Sequence, residues 1–238
     1  MVTDLKSNYT SPAGRECTLA AGRFAAVNPA STVLDIGCGY GEGACNLAAE
    51  FRCKITAIDQ NADNIQTARE QAAARSVSHL ITFKVEDVCG ADYHDSPFDL
   101  VLAEGGILSF IGRAKGIGFA HQWLAPRGWF AFSDLILLSE KIPDEVKTIF
   151  ETDRFAYETE SSYRSIIKDA GFDLAFASLI PLSGWDNYYA HMARRLEDEK
   201  GFFADKRIKY AFHKEIDVFY RLEGFRYVGY LFGVARKK

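Results

Sequence analysis

The chain has 238 residues, 48% hydrophobic and 25% charged, with a formal net charge of −4. This balance is that of an ordinary globular protein, and the length suits one α/β domain over residues 1–238. The sequence has no dense run of Lys and Arg, which disfavours a nucleic-acid partner, and no apolar run approaching the ~20 residues of a membrane span.

Residues 1–10 read as loose, and residues 11–27 as a helix with Pro12 in its first turn and a stop at Asn28-Pro29. Thr32-Val33-Leu34-Asp35-Ile36 is a short apolar, β-branched run. Gly37-Cys38-Gly39-Tyr40-Gly41 follows at once, and then Ala44, Leu47, Ala48 and Phe51 recur at helical spacing. The unit repeats. Residues 54–58 form a second strand ending at Asp59, and Asn61 caps a helix with Ile65, Ala68 and Ala72 on one face. Residues 81–85 and 99–103 are further strands, residues 113–124 a helix, and residues 129–132 a fifth strand after a Pro126-Arg127-Gly128 turn. Helices are expected over 143–152 and 160–170, with Gly171 as the stop, then a strand to Ile180. Two amphipathic helices follow. Trp185, Tyr188, Tyr189, Met192 and Leu196 share a face of the first; Ile208, Ala211, Phe212, Phe219 and Leu222 share a face of the second. Residues 227–234 close the chain as a strand.

Strands alternating with helices of this length imply a mostly parallel sheet with right-handed crossovers. Such sheets bind ligands beyond the carboxyl ends of their strands. The Gly turn differs from the dinucleotide fingerprint G-x-G-x-x-G: its third glycine comes one position early, and Glu42 stands in the expected place. A negative charge there opposes a pyrophosphate at the helix N-terminus. The turn therefore suits a ligand without phosphates, and S-adenosylmethionine (SAM) is one. Asp59, 22 residues after Gly37, is placed to accept hydrogen bonds from ribose hydroxyls. Glu86-Asp87-Val88 is placed to meet an adenine.

The run Val33 to Glu42 resembles motif I of the class I SAM-dependent methyltransferases. Ile58-Asp59, Glu86-Asp87-Val88, Phe98-Asp99-Leu100-Val101 and Leu124-Ala125-Pro126-Arg127-Gly128 resemble the later motifs in order and spacing. The resemblance implies a Rossmann-like seven-stranded, mostly parallel sheet with helices on both faces, an antiparallel last strand, and a helical insertion or lid at 184–223 before it. It implies SAM as methyl donor and S-adenosylhomocysteine as product. Cofactor contacts would come from Asp35, Gly37, Cys38, Gly39, Gly41, Asp59, Gln60, Asp87, Val88 and Glu104. Glu104-Gly105-Gly106, Gly184 to Tyr189 and Tyr227 to Tyr230 are similar to a bacterial and archaeal subgroup thought to methylate small molecules. Tyr40 stands where that family often has Thr or Ser.

Glu104, at the end of strand four, has two expected roles. It is a candidate catalytic base, or the anchor for a cationic acceptor or the amino group of SAM. Trp185, Tyr188 and Tyr189 are expected to wall an acceptor pocket, and segment 184–223 to cover that site or to join two copies as a homodimer. That late segment is basic: residues 184–238 hold 12 Lys+Arg against 8 Asp+Glu, and residues 1–183 hold 16 against 24. Its charge reads either as a solvated helix face or as a contact for an acidic substrate or partner. The five histidines read as satisfied side chains with no metal-ligand pattern, and no metal is expected. Five scattered cysteines and a polar Met1–Thr10 point to reduced thiols and a cytoplasmic location. Rival readings are an RNA or protein methyltransferase, a SAM-binding protein without transfer, and a nicotinamide-linked oxidoreductase.

Overall fold

The computed structural model describes residues 9–95, 97–150, 158–197 and 205–238. Residues 1–8, read above as loose, and the end of the helix expected over 143–152 lie outside them. Strand β1 (Thr32–Ile36) pairs in parallel with β2 (Lys54–Asp59) on one side and β4 (Phe98–Ala103) on the other. Outside β2 lies β3 (Ile81–Val85). Outside β4 come β5 (Leu124–Leu137), β8 (Val228–Lys237) and β7 (Phe172–Leu179), with β8 antiparallel to both neighbours. The order is β3-β2-β1-β4-β5-β8-β7. A two-residue β6 (Glu158–Thr159) pairs with the end of β5, an eighth strand among the described residues where seven were expected.

The expected helices are present as α1 (Gly14–Phe24), α2 (Glu42–Phe51), α3 (Ala62–Ala74), α5 (Arg113–Trp123), α6 (Asp144–Phe150), α7 (Glu160–Asp169), α8 (Leu182–Leu196) and α9 (Lys206–Arg221). Their local signals hold. Asn61 accepts from the amides of Asp63 and Asn64, and Ile65, Ala68 and Ala72 are fully buried. Gly171 ends the turn after α7 at φ +88°. A five-residue α4 (Ile107–Ile111) was not expected.

Two expectations need correction. The Pro126-Arg127-Gly128 turn lies inside β5, where Arg127 adopts φ +63° and the register with β4 shifts. The strand starts before it and continues to Leu137, because nine residues of β5 pair with β8. On α9, Ala211 is exposed, and the buried residues are Val218 and Phe219.

One apolar cluster fills the face under α2 and α3, and a second fills the opposite face under α5 and α7. β1 and β4 are therefore apolar on both sides and read as continuous hydrophobic runs. A third cluster packs α6, α8 and α9 against β5 and β8. The chain leaves β1 toward β2 and β3 and returns beyond it to β4, so the gap between β1 and β4 is the sheet's switch point, where ligands bind.

Candidate functional site

Asp35 pairs with Leu102, so Gly37 and Glu104, each two residues further on, leave the sheet side by side. Gly37, Gly39 and Gly41 have φ of +67°, +52° and +76°. This left-handed path is open mainly to glycine. It lets the chain reverse into α2 within five residues. A Cβ at Gly39 would meet nothing within 4 Å, so that turn faces open space. The Gly39 amide donates to Asp59 Oδ2 at 2.9 Å, and Asp59 Oδ1 accepts from the Asn61 amide and from Asn64 Nδ2. Asp59 thus holds the Gly turn as well as ending β2.

Beneath the turn is a recess of about 60 Å³, lined by Asp35, Gly37, Cys38, Gly39, Tyr40, Glu42, Gly43, Glu104 and Gly105, with Tyr9, Thr10 and Ser11 closing one side. It is acidic. Glu42 is neutralised by Arg75. Asp35 and Glu104 have no such partner among the described residues. Burial, reinforced by the Asp59 charge, pushes Asp35 up to about 7. Burial pushes Glu104 up to about 8, although Thr18 donates to its Oε2 at 2.7 Å. Glu104 as a whole is only half-buried, yet its Oε1 is shielded from solvent and has no hydrogen-bond partner. A Cβ at Gly43 would stand 3.4 Å from Asp35 Oδ2 and 3.7 Å from Glu104 Oε2, so both carboxylates converge on one point.

The expected cofactor residues divide between the recess and the strand ends. Asp35, Gly37, Cys38, Gly39 and Glu104 line the recess. Gly41 sits behind the turn, where a Cβ would lie 2.7 Å from Ala68 Cβ. Gln60 and Asp87 are exposed at the ends of β2 and β3, and Val88 is buried beside Asp87. Tyr9, Ser11 and Thr18 were missed. Tyr9 donates to Thr18 Oγ1 at 3.0 Å and accepts from Asn46 Nδ2 at 3.1 Å. No local pattern marks Thr18, whose partner Glu104 is 86 residues away.

A second cavity of about 210 Å³ adjoins the first and shares Thr10 and Gly105 with it. Trp185, Tyr188, Tyr230, Phe110 and Phe150 supply aromatic wall, and Asp134 and Glu215 supply carboxylates. The three expected pocket residues separate here. Trp185 and Tyr188 line the cavity, while Tyr189 stands behind it and donates to Glu215 Oε1 at 3.0 Å. Asp134 is fully buried and satisfied by Arg113 Nε at 2.8 Å, Ser109 at 2.7 Å and Tyr163 at 3.0 Å. Burial raises Glu215 to about 7. Arg195, near the end of α8, donates to Tyr40 Oη at 2.6 Å and stacks over its ring at 4.6 Å, tying the late helices to the Gly turn. Elsewhere, His191 Nε2 is buried without a hydrogen-bond partner, so that histidine is not satisfied as expected.

Residues 33–128 match a family model described as a methyltransferase domain. The chain superposes with a TM-score of 0.81 on a SAM-dependent methyltransferase from Thiobacillus denitrificans in complex with S-adenosyl-L-homocysteine, over 98% of this chain and 95% of that one at 19% identity. The fold is that of the class I SAM-dependent methyltransferases. Among curated relatives, phosphoethanolamine N-methyltransferase 1 of Arabidopsis thaliana is 27% identical over 69% of this chain and 33% of its own length. Sarcosine/dimethylglycine N-methyltransferase of Halorhodospira halochloris is 31% identical over 62% of this chain and 53% of its own length. The chain thus spans about a third to a half of these relatives. No helix among the described residues is long and apolar enough to cross a membrane.

Proposed function

We propose that this chain binds SAM at the Gly turn and transfers its methyl group to a small molecule held in the adjoining cavity. The observation that carries this reading is the buried, unpartnered Oε1 of Glu104 in an acidic recess at the switch point. Two carboxylates held high by burial favour a cation, and SAM carries two, an ammonium and a sulfonium. The recess of about 60 Å³ suits one polar end of a ligand, and the remainder would lie along the exposed strand ends toward Asp59, Gln60, Asp87 and Val88. When bound, SAM supplies an activated methyl group, whose transfer forms a bond from acceptor to carbon, breaks the carbon–sulfur bond and leaves neutral S-adenosylhomocysteine.

The chain's own residues then bind and align. Glu104 lines the first cavity and not the second, which favours ammonium anchoring over the role of general base. Thr18 fixes its carboxylate, and Tyr9 fixes Thr18. Gly105, common with Thr10 to both cavities, presents bare backbone where donor and acceptor would approach. Alignment of this kind is worth up to ~7–11 kcal/mol when geometry is good. Helices α8 and α9 serve as the cover of the acceptor site, with Trp185 and Tyr188 as walls.

The test has two parts. Calorimetry should show SAM and S-adenosylhomocysteine binding to the wild type. A labelled-methyl assay against a fractionated extract should yield a small labelled product. Binding without transfer to any fraction would leave a SAM-binding protein, and absence of binding would refute the reading altogether.

A further inference from the structure

We propose that the 210 Å³ cavity selects a small amine without a phosphate or carboxylate substituent, binding it as the ammonium between Trp185, Tyr188 and Tyr230 and opposite Glu215, whose carboxylate takes one N–H proton so that the freed lone pair attacks the methyl carbon as the carbon–sulfur bond breaks. This rests on the methyl-transfer reading and adds the acceptor's chemical class. Four observations support it.

The walls are aromatic and set at an angle. Trp185 and Tyr230 meet edge to face, with ring centroids 5.8 Å apart at 90°, and Trp185 is held from behind by Phe219 at 4.7 Å. Aromatic rings lining a cavity make it attractive to a cation.

The countercharge is Glu215. Its hydrogen bond comes from Tyr189, a neutral donor, and no Lys or Arg forms an ion pair with it among the described residues. The other carboxylate, Asp134, already has a guanidinium, two hydroxyls and the Leu135 amide around it. Glu215 is half-buried, and a carboxylate withdrawn from water without a cation carries a cost that a ligand cation relieves.

No Lys, Arg or His lines the cavity among the described residues. Three arginines of the basic segment 184–238 are paired outside the lining: Arg195 on Tyr40, Arg221 on Glu145 and Asp217, Arg226 on Glu223. An anionic substituent would lose its water beside Glu215 and find no positive partner. The substrate of the Arabidopsis relative, by its name, bears a phosphate, and that of the Halorhodospira relative a carboxylate. The cavity of this chain predicts a different selectivity.

Finally, the volume falls below the 300–1,000 Å³ usual for ligand pockets, which limits the acceptor to a small molecule.

The test compares three ligands by calorimetry on the full chain, with and without saturating S-adenosylhomocysteine. Choline supplies a quaternary ammonium that cannot itself be methylated. 3,3-Dimethylbutan-1-ol has the same shape without the charge, and phosphocholine adds the anion. Choline is expected to bind at least tenfold more tightly than either of the others. Glu215→Gln should remove most of that advantage while leaving S-adenosylhomocysteine affinity unchanged, which also shows that the variant is folded. The inference is overturned if the neutral isostere matches choline, if phosphocholine binds as well or better, or if none of the three binds. The wild-type comparison depends on no variant. If S-adenosylhomocysteine binds and choline shows no preference, the acceptor class alone is wrong. If choline is preferred and S-adenosylhomocysteine does not bind, the methyl-transfer reading fails and the ammonium site stands.

Discussion

Glu104→Gln separates a ligand-holding carboxylate from a structural one. The substitution keeps the side-chain shape and an acceptor for Thr18, and removes only the titrating charge. In the wild type, burial raises Glu104 from 4.5 to about 8. A carboxyl raised in this way holds its proton more tightly in the folded state than in the unfolded one. Its contribution to stability is therefore complete below about pH 4.5 and is lost as pH rises to about 8. At about 1.4 kcal/mol per pH unit, the loss across that window is at most about 5 kcal/mol. Relaxation and water entry reduce it, so about 2–4 kcal/mol is expected. Urea unfolding of the ligand-free proteins should show the two nearly equal at pH 5, and the variant more stable by that amount at pH 9. SAM binding should move the opposite way, weakening by ~1.5–3 kcal/mol in the variant at pH 9, as for a lost charged hydrogen bond. A stability gap independent of pH would refute the buried-charge argument. Unchanged SAM affinity would refute the anchoring role.

Asp59→Ala should fold and weaken SAM binding by ~1.5–3 kcal/mol, with faster hydrogen exchange at the Gly39 amide, whose acceptor is lost. Gly37→Ala places a Cβ 2.7 Å from Ile107 Cγ1 at φ +67° and should lower stability by ~2–4 kcal/mol in denaturant titration. Gly39→Ala carries only the ~1–2 kcal/mol left-handed strain, because its Cβ meets no protein atom, and should lose SAM affinity more than stability in paired calorimetry and unfolding. Tyr40→Phe keeps the ring under Arg195 and removes the 2.6 Å hydrogen bond. It should lower stability by ~0.5–1.5 kcal/mol and speed hydrogen exchange in the last turn of α8, whereas equal exchange would show that the contact does not hold the helix.

The Gly-turn half of the candidate site was legible because its signals are local. β1, β2 and β4 are short apolar runs, each ending in a residue that must leave the sheet, and three glycines within five residues fix the turn after β1. Covering helices on both faces make those strands largely apolar, which a linear reading detects. The full length of β5 was not legible. Its extension to Leu137 depends on pairing with β8, about a hundred residues later, and its start is masked by a Pro-Arg-Gly bulge. β6 and α4, of two and five residues, are too short to show a period.

The proposed acceptor half was only partly legible, for a reason that bears on function. Helical spacing placed Trp185, Tyr188 and Tyr189 on one apolar face, but it cannot say which of two adjacent tyrosines opens to a cavity and which stands behind it. That choice depends on Glu215, which takes the Tyr189 hydroxyl from a helix of its own and leaves Tyr188 at the wall. The same holds for Glu104, whose geometry is set by Thr18 on α1. Each carboxylate central to the proposals is thus held by a hydroxyl from a distant segment, and each lacks a protein cation among the described residues. A fold that merely needed these positions filled would be more stable with amides or apolar groups there, since an unpaired buried carboxylate costs more than either. Two such residues in adjoining cavities, sharing the bare backbone of Gly105, are best accounted for by two cationic ligands that meet there: a sulfonium donor bearing an ammonium in the first cavity, and an amine acceptor in the second.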